Sequence, residues 1–301
     1  MDVLSWQIGE VRVTRVMELQ AERTPDFGYA DLTTDDILRE SWLKPHFATE
    51  EGKLISCVQA FVVEAGGRRI IVDTCVGNDK KRGNPNWNML HGPFLEHLAG
   101  AGFPPDSIDV VLCTHLHVDH VGWNTILIDG KWVPTFPNAT YLFGRAEWDH
   151  WSREIIEEVR GDITRETAEA VINVADVNND SIRPVIDAGL HQLVEPDHVV
   201  TPEVRLEPTP GHTPGHVSVV IESGGQKAVI TGDLMHHPIQ CAMPHVASKF
   251  DHDAQAARDT RRDFMQRHQG EDTLVLGTHF AAPTAGHFTP HGDVWRFRVK
   301  A

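Results

Sequence analysis

The apolar and polar positions of the chain form short runs that predict many strands and few helices. Alternation over residues 6–17 predicts a first strand, broken by a turn near Gly9-Glu10. Further runs bounded by turn residues predict strands at 56–64, 68–73, 110–113, 126–128, 132–133, 139–143, 199–200, 204–206, 217–222, 228–231, 274–277 and 294–299. Turn pairs at Gly66-Gly67, Asp129-Gly130 and Gly224-Gly225 predict hairpins.

Helical spacing is confined to three segments. Residues 93–101, with Pro93 at their start, predict a short helix, and residues 253–268 predict the last one. Residues 145–175 carry an apolar stripe at 3–4 spacing, which we interpret as core, formed by Trp148, Trp151, Ile155, Ile156 and Val159.

The order of these elements predicts a layered α/β fold in one domain over residues 1–301, because no Pro/Gly/Ser-rich linker divides the chain. The succession of hairpins, helix, apolar strand and polar loop occurs twice, which indicates two similar halves. Residues 145–200 are expected to form a helical insertion. Residues 20–52 are irregular and aromatic, and either cover the edge of the core or form a cap on the substrate side.

The composition of the chain excludes several classes of protein. Hydrophobic residues make up 41% of the chain, no run approaches transmembrane length, and the N-terminus lacks an export signal, so we expect a soluble cytoplasmic protein. The formal net charge of −16 argues against nucleic acid and anionic membrane surfaces as partners. The four dispersed cysteines are expected to be reduced and mostly buried.

The candidate chemistry centres on residues 109–123. An apolar run that predicts a buried strand, 110–113, leads directly into HLHVDH, which holds His115, His117, Asp119 and His120. Imidazole and carboxylate groups are ligands that zinc prefers. Alternate residues of an extended backbone point the same way, so His115 and His117 can bind one ion. The alternative is a cluster of surface histidines, but a ligand motif directly after a buried strand favours a metal site.

Other apolar runs end in the same manner. Each leads into Asp or His at its carboxyl end, as in IIVDT (70–74), VVLCTH (110–115), VITGD (229–233) and LVLGTH (274–279). Sites in layered α/β proteins assemble where strand ends and loops meet, so Asp233 and His279 are candidates to join the central cluster. His212, in the loop GHTPGH, is a third candidate. Taken singly, such an Asp can also cap a turn.

HLHVDH, GHTPGH, TGD and GTH, in that order, resemble the ligand motifs of the metallo-β-lactamase superfamily, and the resemblance extends from about Ser56 to His279. It implies a four-layer αββα sandwich of two mixed sheets flanked by helices. It also implies a dinuclear zinc centre, in which Fe, Mn or Co can replace zinc. One ion would bind His115, His117 and His212, the other Asp119, His120 and His279, with Asp233 bridging both. Asp73 matches an aspartate that orients the ligand loop.

Within the superfamily, the motifs are most similar to N-acyl homoserine lactonases and to the methyl parathion hydrolase type, which GTHFAAPTAGH resembles particularly. True β-lactamases usually lack the last His of HLHVDH and carry Cys in place of Asp233. Glutathione-thioester hydrolases append a helical domain after the last His, and nucleases of the superfamily usually bring basic surfaces. One departure concerns His236, at a position where lactonases often place a substrate-binding Tyr.

The resemblance implies hydrolysis of a small-molecule lactone or ester by a metal-bridging hydroxide. Asp119 would transfer the proton and His236 would donate to the oxyanion, with a solvated loop histidine as the alternative for His236. Trp123 would line the substrate pocket or belong to the core. An arylesterase or phosphotriesterase of the methyl parathion hydrolase type is the alternative activity, and a metal-binding or redox diiron protein is the alternative of another class. A homodimer is left open.

Overall fold

A computed structural model of the protein describes residues 3–160 and 174–299. The strands are β1 (Ser5–Ile8), β2 (Val11–Arg23), β3 (Leu54–Ala65), β4 (Arg68–Val72), β5 (Val110–Leu112), β6 (Thr125–Ile128), β7 (Lys131–Pro134), β8 (Thr140–Gly144), β9 (His191–Val194), β10 (Val199–Thr201), β11 (Val204–Pro208), β12 (Val217–Ser223), β13 (Gln226–Ile230), β14 (Thr273–Leu276), β15 (Ala285–His291) and β16 (Val294–Arg298). The α-helices are α1 (Thr34–Arg39), α2 (Phe94–Gly100), α3 (Arg145–Arg160), α4 (Val174–Val177), α5 (Arg183–Asp187), α6 (Ile239–Ala242) and α7 (Ala254–Arg267).

The strands form two seven-stranded sheets and one two-stranded hairpin. The first sheet has the order β1-β2-β3-β4-β5-β8-β9, the second β10-β11-β12-β13-β14-β15-β16, and β6 pairs with β7. Both large sheets are mixed. In the first, β3 and β4 are antiparallel while β4-β5, β5-β8 and β8-β9 are parallel. In the second, only β13-β14 is parallel. Two mixed sheets with helices confirm the predicted α/β class.

The chain divides into two compact units. The first comprises Met1–Gln7, Arg12–Glu18 and Gln59–Glu195, and the second comprises Ile8–Val11, Leu19–Val58 and Pro196–Ala301. Each unit contains the same succession, an antiparallel hairpin followed after a helix by a parallel strand: β3-β4 then β5, and β12-β13 then β14.

In the first unit, the central strands are buried on both faces, as their continuous apolar runs predict. Successive residues of β3 and β4, such as Val62, Val63, Ile70 and Ile71, have no exposed surface. The carboxyl ends of β4 and β5 therefore emerge together from a rigid core, and the loops that follow them start from fixed points.

In the second unit, a row of valines crosses three strands. Val220 pairs with Val229, and Val229 pairs with Val275, so one face of β12, β13 and β14 is continuous. Phe264 and Met265 of α7 belong to the same buried cluster. Residues 20–52 contribute to this cluster too, because Phe47 is buried and the centroid of its ring lies 6.2 Å from that of Phe280. The suggestion that this segment caps a substrate stays a prediction.

Several elements differ from the sequence prediction. The strand predicted over residues 6–17 is divided into β1 and β2, of which β2 continues to Arg23, and β9 and β15 carry too little alternation to be recognised. The predicted helix 145–175 is present to Arg160, with Trp151 buried and Trp148 partly exposed. The side chains of Ile155, Ile156 and Val159, and residues 161–173 of the predicted helical insertion, lie outside the described part of the chain. Among the described residues, no helix has the length and apolarity that crossing a bilayer requires.

Candidate functional site

The loop that follows β5 brings the HLHVDH residues of the first unit together. The ring of His115 lies 4.5 Å from that of His117 and 4.0 Å from that of His120, measured between centroids. All three rings are buried, and Asp119 is partly exposed with one oxygen 3.7 Å from His120 Nε2. We call His115, His117, Asp119 and His120 the first ligand set.

Asp73, directly after β4, holds this loop at two points. Its carboxylate accepts hydrogen bonds from the backbone N–H of Thr114 at 2.8 Å and from the Thr114 hydroxyl at 2.9 Å. Its Oδ2 also lies 2.9 Å from His120 Nδ1. A proton on Nδ1 makes Nε2 the nitrogen of His120 whose lone pair can coordinate a metal. These contacts support the proposed orienting role of Asp73.

The end of the loop packs backbone to backbone against residues 74–76. Gly122 N–H donates to the carbonyl of Cys75 and Trp123 N–H to that of Thr74, both at 2.7 Å. A Cβ on Gly122 would lie 1.9 Å from the carbonyl oxygen of Val76, which leaves room only for glycine. The backbone after β4 therefore supports the His120 end of the first ligand set.

Trp123 follows this contact and is 3% exposed. Its ring stacks on Phe94 at 5.6 Å, and its indole N–H donates to Glu18 at 2.6 Å. Both contacts are those of a core residue, and a role in substrate binding stays a prediction.

The partly buried Glu18 and the buried Glu147 are two acids that the sequence pattern does not single out. The Glu18 carboxylate accepts the N–H groups of Val76 and Gly77, and burial raises its pKa to about 7. Glu147 of α3 accepts the Leu116 N–H at 3.3 Å and the Trp151 indole N–H at 2.8 Å. Both acids hold loops next to the first ligand set, and both come from segments whose pattern gives no indication of this.

In the second unit, Asp233 lies between histidines. Its Oδ1 is 3.0 Å from His279 Nε2, and its Oδ2 is 3.5 Å from His212 Nε2. We call His212, Asp233 and His279 the second ligand set. Two ligand atoms bound to one tetrahedral ion at about 2.0–2.1 Å lie about 3.3 Å apart, so each of these two pairs of atoms is spaced to coordinate an ion of its own. Imidazole nitrogens and carboxylate oxygens in each unit are the donors that zinc and related divalent metals prefer.

The histidines of the second ligand set are each held through Nδ1. His279 Nδ1 lies 2.8 Å from the carbonyl of Cys57, and His212 Nδ1 lies 2.9 Å from Asp251 Oδ1. Both contacts turn Nε2 of the histidine towards Asp233. A sequence search for metal ligands finds such histidines but not the partners behind them.

His216, the second histidine of GHTPGH, supports Asp233 through the backbone. Its Nε2 accepts the Asp233 N–H at 2.8 Å, and its Nδ1 contacts the carbonyl of Thr209 at 3.1 Å. The buried imidazole thus joins the loop after β11 to the loop after β13.

His236 lies beside the second ligand set. Its Nε2 is 3.3 Å from Asp233 Oδ2, and the atoms offered by His212, Asp233 and His236 lie within 4.8 Å of one another. Burial lowers the pKa of His236, although Asp233 opposes this, so the ring is neutral at neutral pH. His237 is buried, its Nε2 lies 2.8 Å from the carbonyl of Phe47, and burial lowers its pKa to about 4. His237 is therefore a neutral residue of the core.

Comparison with known proteins places this geometry in context. The sequence model of the metallo-beta-lactamase superfamily matches residues 58–279. An N-acyl homoserine lactonase of Bacillus thuringiensis is 26% identical over 199 residues, 61% of this chain and 66% of the relative. Another, from Bacillus sp., is 27% identical over 183 residues, 55% of this chain and 58% of the relative. The matched region thus spans 58–66% of the length of these relatives.

Two solved structures show the same fold. A hydrolase of the beta lactamase superfamily, AbOPH, has a TM-score of 0.79 at 23% identity, covering 99% of this chain and 98% of its own. AidC, a dizinc quorum-quenching lactonase solved with the product N-hexnoyl-L-homoserine, has a TM-score of 0.78 at 18% identity. The match covers 99% of this chain and 97% of AidC. At sequence identities this low, the similarity establishes a shared fold.

Proposed function

This chain belongs to the metallo-beta-lactamase superfamily, and from that premise we propose that it is a dinuclear metal hydrolase that opens a lactone or cleaves a carboxylic ester. The observation that carries the proposal is the geometry of Asp233. One of its oxygens lies against His279 and the other against His212. A carboxylate arranged in this way has an oxygen for each of two ions.

In the proposed centre, both ligand sets act together. One zinc would bind His115, His117 and His212, the other would bind Asp119, His120 and His279, Asp233 would bridge them, and Asp73 would orient the loop. Two observations support this assignment. All eight residues lie within the matched range 58–279, and the partners at Nδ1 of His120, His212 and His279 leave Nε2 as the nitrogen that can coordinate a metal.

Two divalent ions, when bound, supply the Lewis acidity that lowers the pKa of a coordinated water from 15.7 to about 7 and polarises the substrate carbonyl. The side chains perform the remaining work. Asp119 is partly exposed beside His120, and we assign it the transfer of a proton to the leaving group. His236, neutral and 16% exposed, is assigned the hydrogen bond to the oxyanion.

The preferred substrate is an N-acyl homoserine lactone, because curated relatives along 61% of the chain are N-acyl homoserine lactonases. Aryl esters and phosphotriesters are the second candidate class. The observation that favours them is His236 itself, since lactonases often carry a substrate-binding tyrosine at that position. The short imidazole leaves more room beside Asp233 than a phenol, which suits a bulkier tetrahedral phosphorus centre.

The test is a hydrolysis panel of homoserine lactones, aryl esters and phosphotriesters on the protein loaded with zinc. Turnover of a lactone or a carboxylic ester is expected, with two ions per chain by elemental analysis. Asp233→Ala should lose metal and activity together, whereas Asp129→Asn, in the exposed β6-β7 turn, should retain both. Full occupancy by two ions in Asp233→Ala would refute the bridging assignment. Iron in the purified protein, with oxygen consumption and no hydrolysis, would support the diiron alternative instead.

The role of His236 is tested separately. His236→Ala should lower turnover on lactones and esters while both ions stay bound, because the proposal places this ring next to the ligands and not among them. Unchanged rates would show that it does not stabilise the oxyanion.

A further inference from the structure

Asp251 lies behind His212 and is buried. From its contacts we propose that Asp251, supported by Arg261 of α7, is the positioning residue that orients His212 towards its metal ion. The inference rests on the proposed metal centre and adds to it a carboxylate that lies 39 positions beyond the histidine it serves.

The contact between the two side chains is direct. Asp251 Oδ1 lies 2.9 Å from His212 Nδ1, and the side chains are 0% and 1% exposed. A carboxylate at Nδ1 holds the proton there, leaves the Nε2 lone pair for the metal, and makes the imidazole a stronger donor. The Nε2 atom lies 3.5 Å from Asp233 Oδ2, which is the side on which the ion is proposed.

Asp251 is itself held on its second oxygen. Oδ2 accepts the Ser248 N–H at 2.8 Å, and the Arg261 guanidinium approaches it to 3.7 Å. Both oxygens of Asp251 are therefore held in place, Oδ1 against the His212 ring and Oδ2 by the Ser248 N–H with the Arg261 guanidinium nearby.

Arg261 also contacts the loop that carries Asp233. The guanidinium is fully buried, and it donates to the carbonyl of Leu234 at 3.0 Å and to that of Val246 at 2.9 Å. A buried charge is strongly unfavourable unless it is paired and hydrogen-bonded. Because one guanidinium contacts both the carboxylate behind His212 and the residue after Asp233, it couples the positions of two ligands.

The backbone around His212 is hydrogen-bonded to the residues that directly precede α7. His252 N–H donates to the carbonyl of His212 and Asp253 N–H to that of Gly211, both at 2.9 Å. Gly211 has φ +133°, and a Cβ there would lie 2.3 Å from the backbone nitrogen of Ala257. The GHTPGH loop is thus seated on the N-terminal turns of α7, and Asp251 determines the direction of the ring within that seat.

The matched variants are Asp251→Asn and Asp253→Asn. Asp253 caps α7 by accepting the N–H groups of Gln255 and Ala256, so its variant perturbs the same helix without touching the His212 ring. We expect Asp251→Asn to bind one of two Co²⁺ ions 10- to 100-fold more weakly in a chelator competition. Its Co²⁺ absorption spectrum should change as well. Asp253→Asn should keep the affinity and the spectrum.

A measurement on the wild-type chain tests the inference even if the Asp251→Asn variant fails to fold. In ¹⁵N NMR of the metal-free protein, His212 should carry its proton on Nδ1, and a proton on Nε2 would overturn the inference. Wild-type affinity and spectrum in a folded Asp251→Asn would overturn it too. If the wild-type chain binds no transition metal, the proposed function fails first, and that result is visible before any variant is made.

Discussion

Replacing Gly122 with alanine tests whether backbone contact behind the first ligand set supports both stability and metal binding. Gly122 is outside the left-handed region, so alanine meets no backbone strain of its own. The added Cβ would lie 1.9 Å from the Val76 carbonyl oxygen, whereas ordinary contact begins at 3.4 Å. The two backbone segments must therefore separate by about 1.5 Å, the difference of those distances, before the methyl group fits.

The energetic effect follows from the hydrogen bonds that this separation breaks. Gly122 N–H and Trp123 N–H each donate across the contact at 2.7 Å. A buried donor left without its partner destabilises the fold by about 1–3 kcal/mol, so the loss of two such hydrogen bonds amounts to about 2–6 kcal/mol. Because His120 lies two residues earlier, its ring moves as well, and metal affinity should fall with stability.

The assay is urea denaturation of metal-free protein, followed by Co²⁺ titration of the folded variants. Gly100→Ala is the matched control, since Gly100 ends α2, has no positive φ, and an added Cβ meets nothing within 4 Å. We expect that control to be unchanged or more stable by about 0.5–1 kcal/mol. A Gly122→Ala protein within 0.5 kcal/mol of wild type would refute the steric reasoning, where ~0.5 kcal/mol is the usual range for an inconsequential substitution.

Three further predictions concern the same region. Asp73→Asn should lower affinity for one ion about 10- to 100-fold in a chelator competition, because the amide no longer holds the proton on His120 Nδ1; unchanged affinity would remove the orienting role. Because the folded chain binds a proton at Glu18 more tightly than the unfolded chain does, protonated Glu18 stabilises the fold below pH 4.5, and this contribution of about 3 kcal/mol is lost as the pH rises to about 7. The free energy of unfolding, measured by urea denaturation at several pH values, should therefore fall over this range in the wild type and should not show this fall in Glu18→Gln. Removing metal with a chelator should lower the melting temperature and added Zn²⁺ should restore it, corresponding to about 4 kcal/mol when free metal exceeds the dissociation constant 1,000-fold; a melting temperature indifferent to metal would contradict the proposal.

The parts of the fold that the sequence predicts are those governed by local pattern. The run at 110–113 appears as β5 with its three residues buried, and the Gly66-Gly67 and Gly224-Gly225 pairs close the β3-β4 and β12-β13 hairpins. β9 and β15 escape prediction because their sequences, HQLV and AGHFTPH, mix polar and apolar residues without a regular period. Pairing with a neighbouring strand, and not propensity, places them in the sheets.

The candidate ligands were readable for a related reason. The ligands His115, Asp233 and His279 each follow an apolar run, as does the orienting Asp73, so a local pattern marks both the strand and its polar end. Asp251 and Glu147 follow no such run. Asp251 lies in the loop before α7 and Glu147 on a helix, and only the folded chain brings them to His212 and Leu116. A sequence therefore shows the metal ligands more readily than the groups that orient them.

The orienting groups also determine whether the side-chain entropy of the ligands is lost on folding or on metal binding. A histidine that rotates freely loses side-chain entropy on binding metal, and this reduces its affinity. In this chain, His120 and His212 are held by carboxylates and His279 by a backbone carbonyl, with each ring buried. Their orientation is therefore part of the folding equilibrium, together with the burial of β5, β13 and β14. Ligands arranged in advance favour tight metal binding, and substitutions behind the rings should therefore weaken metal binding although they leave every ligand in place.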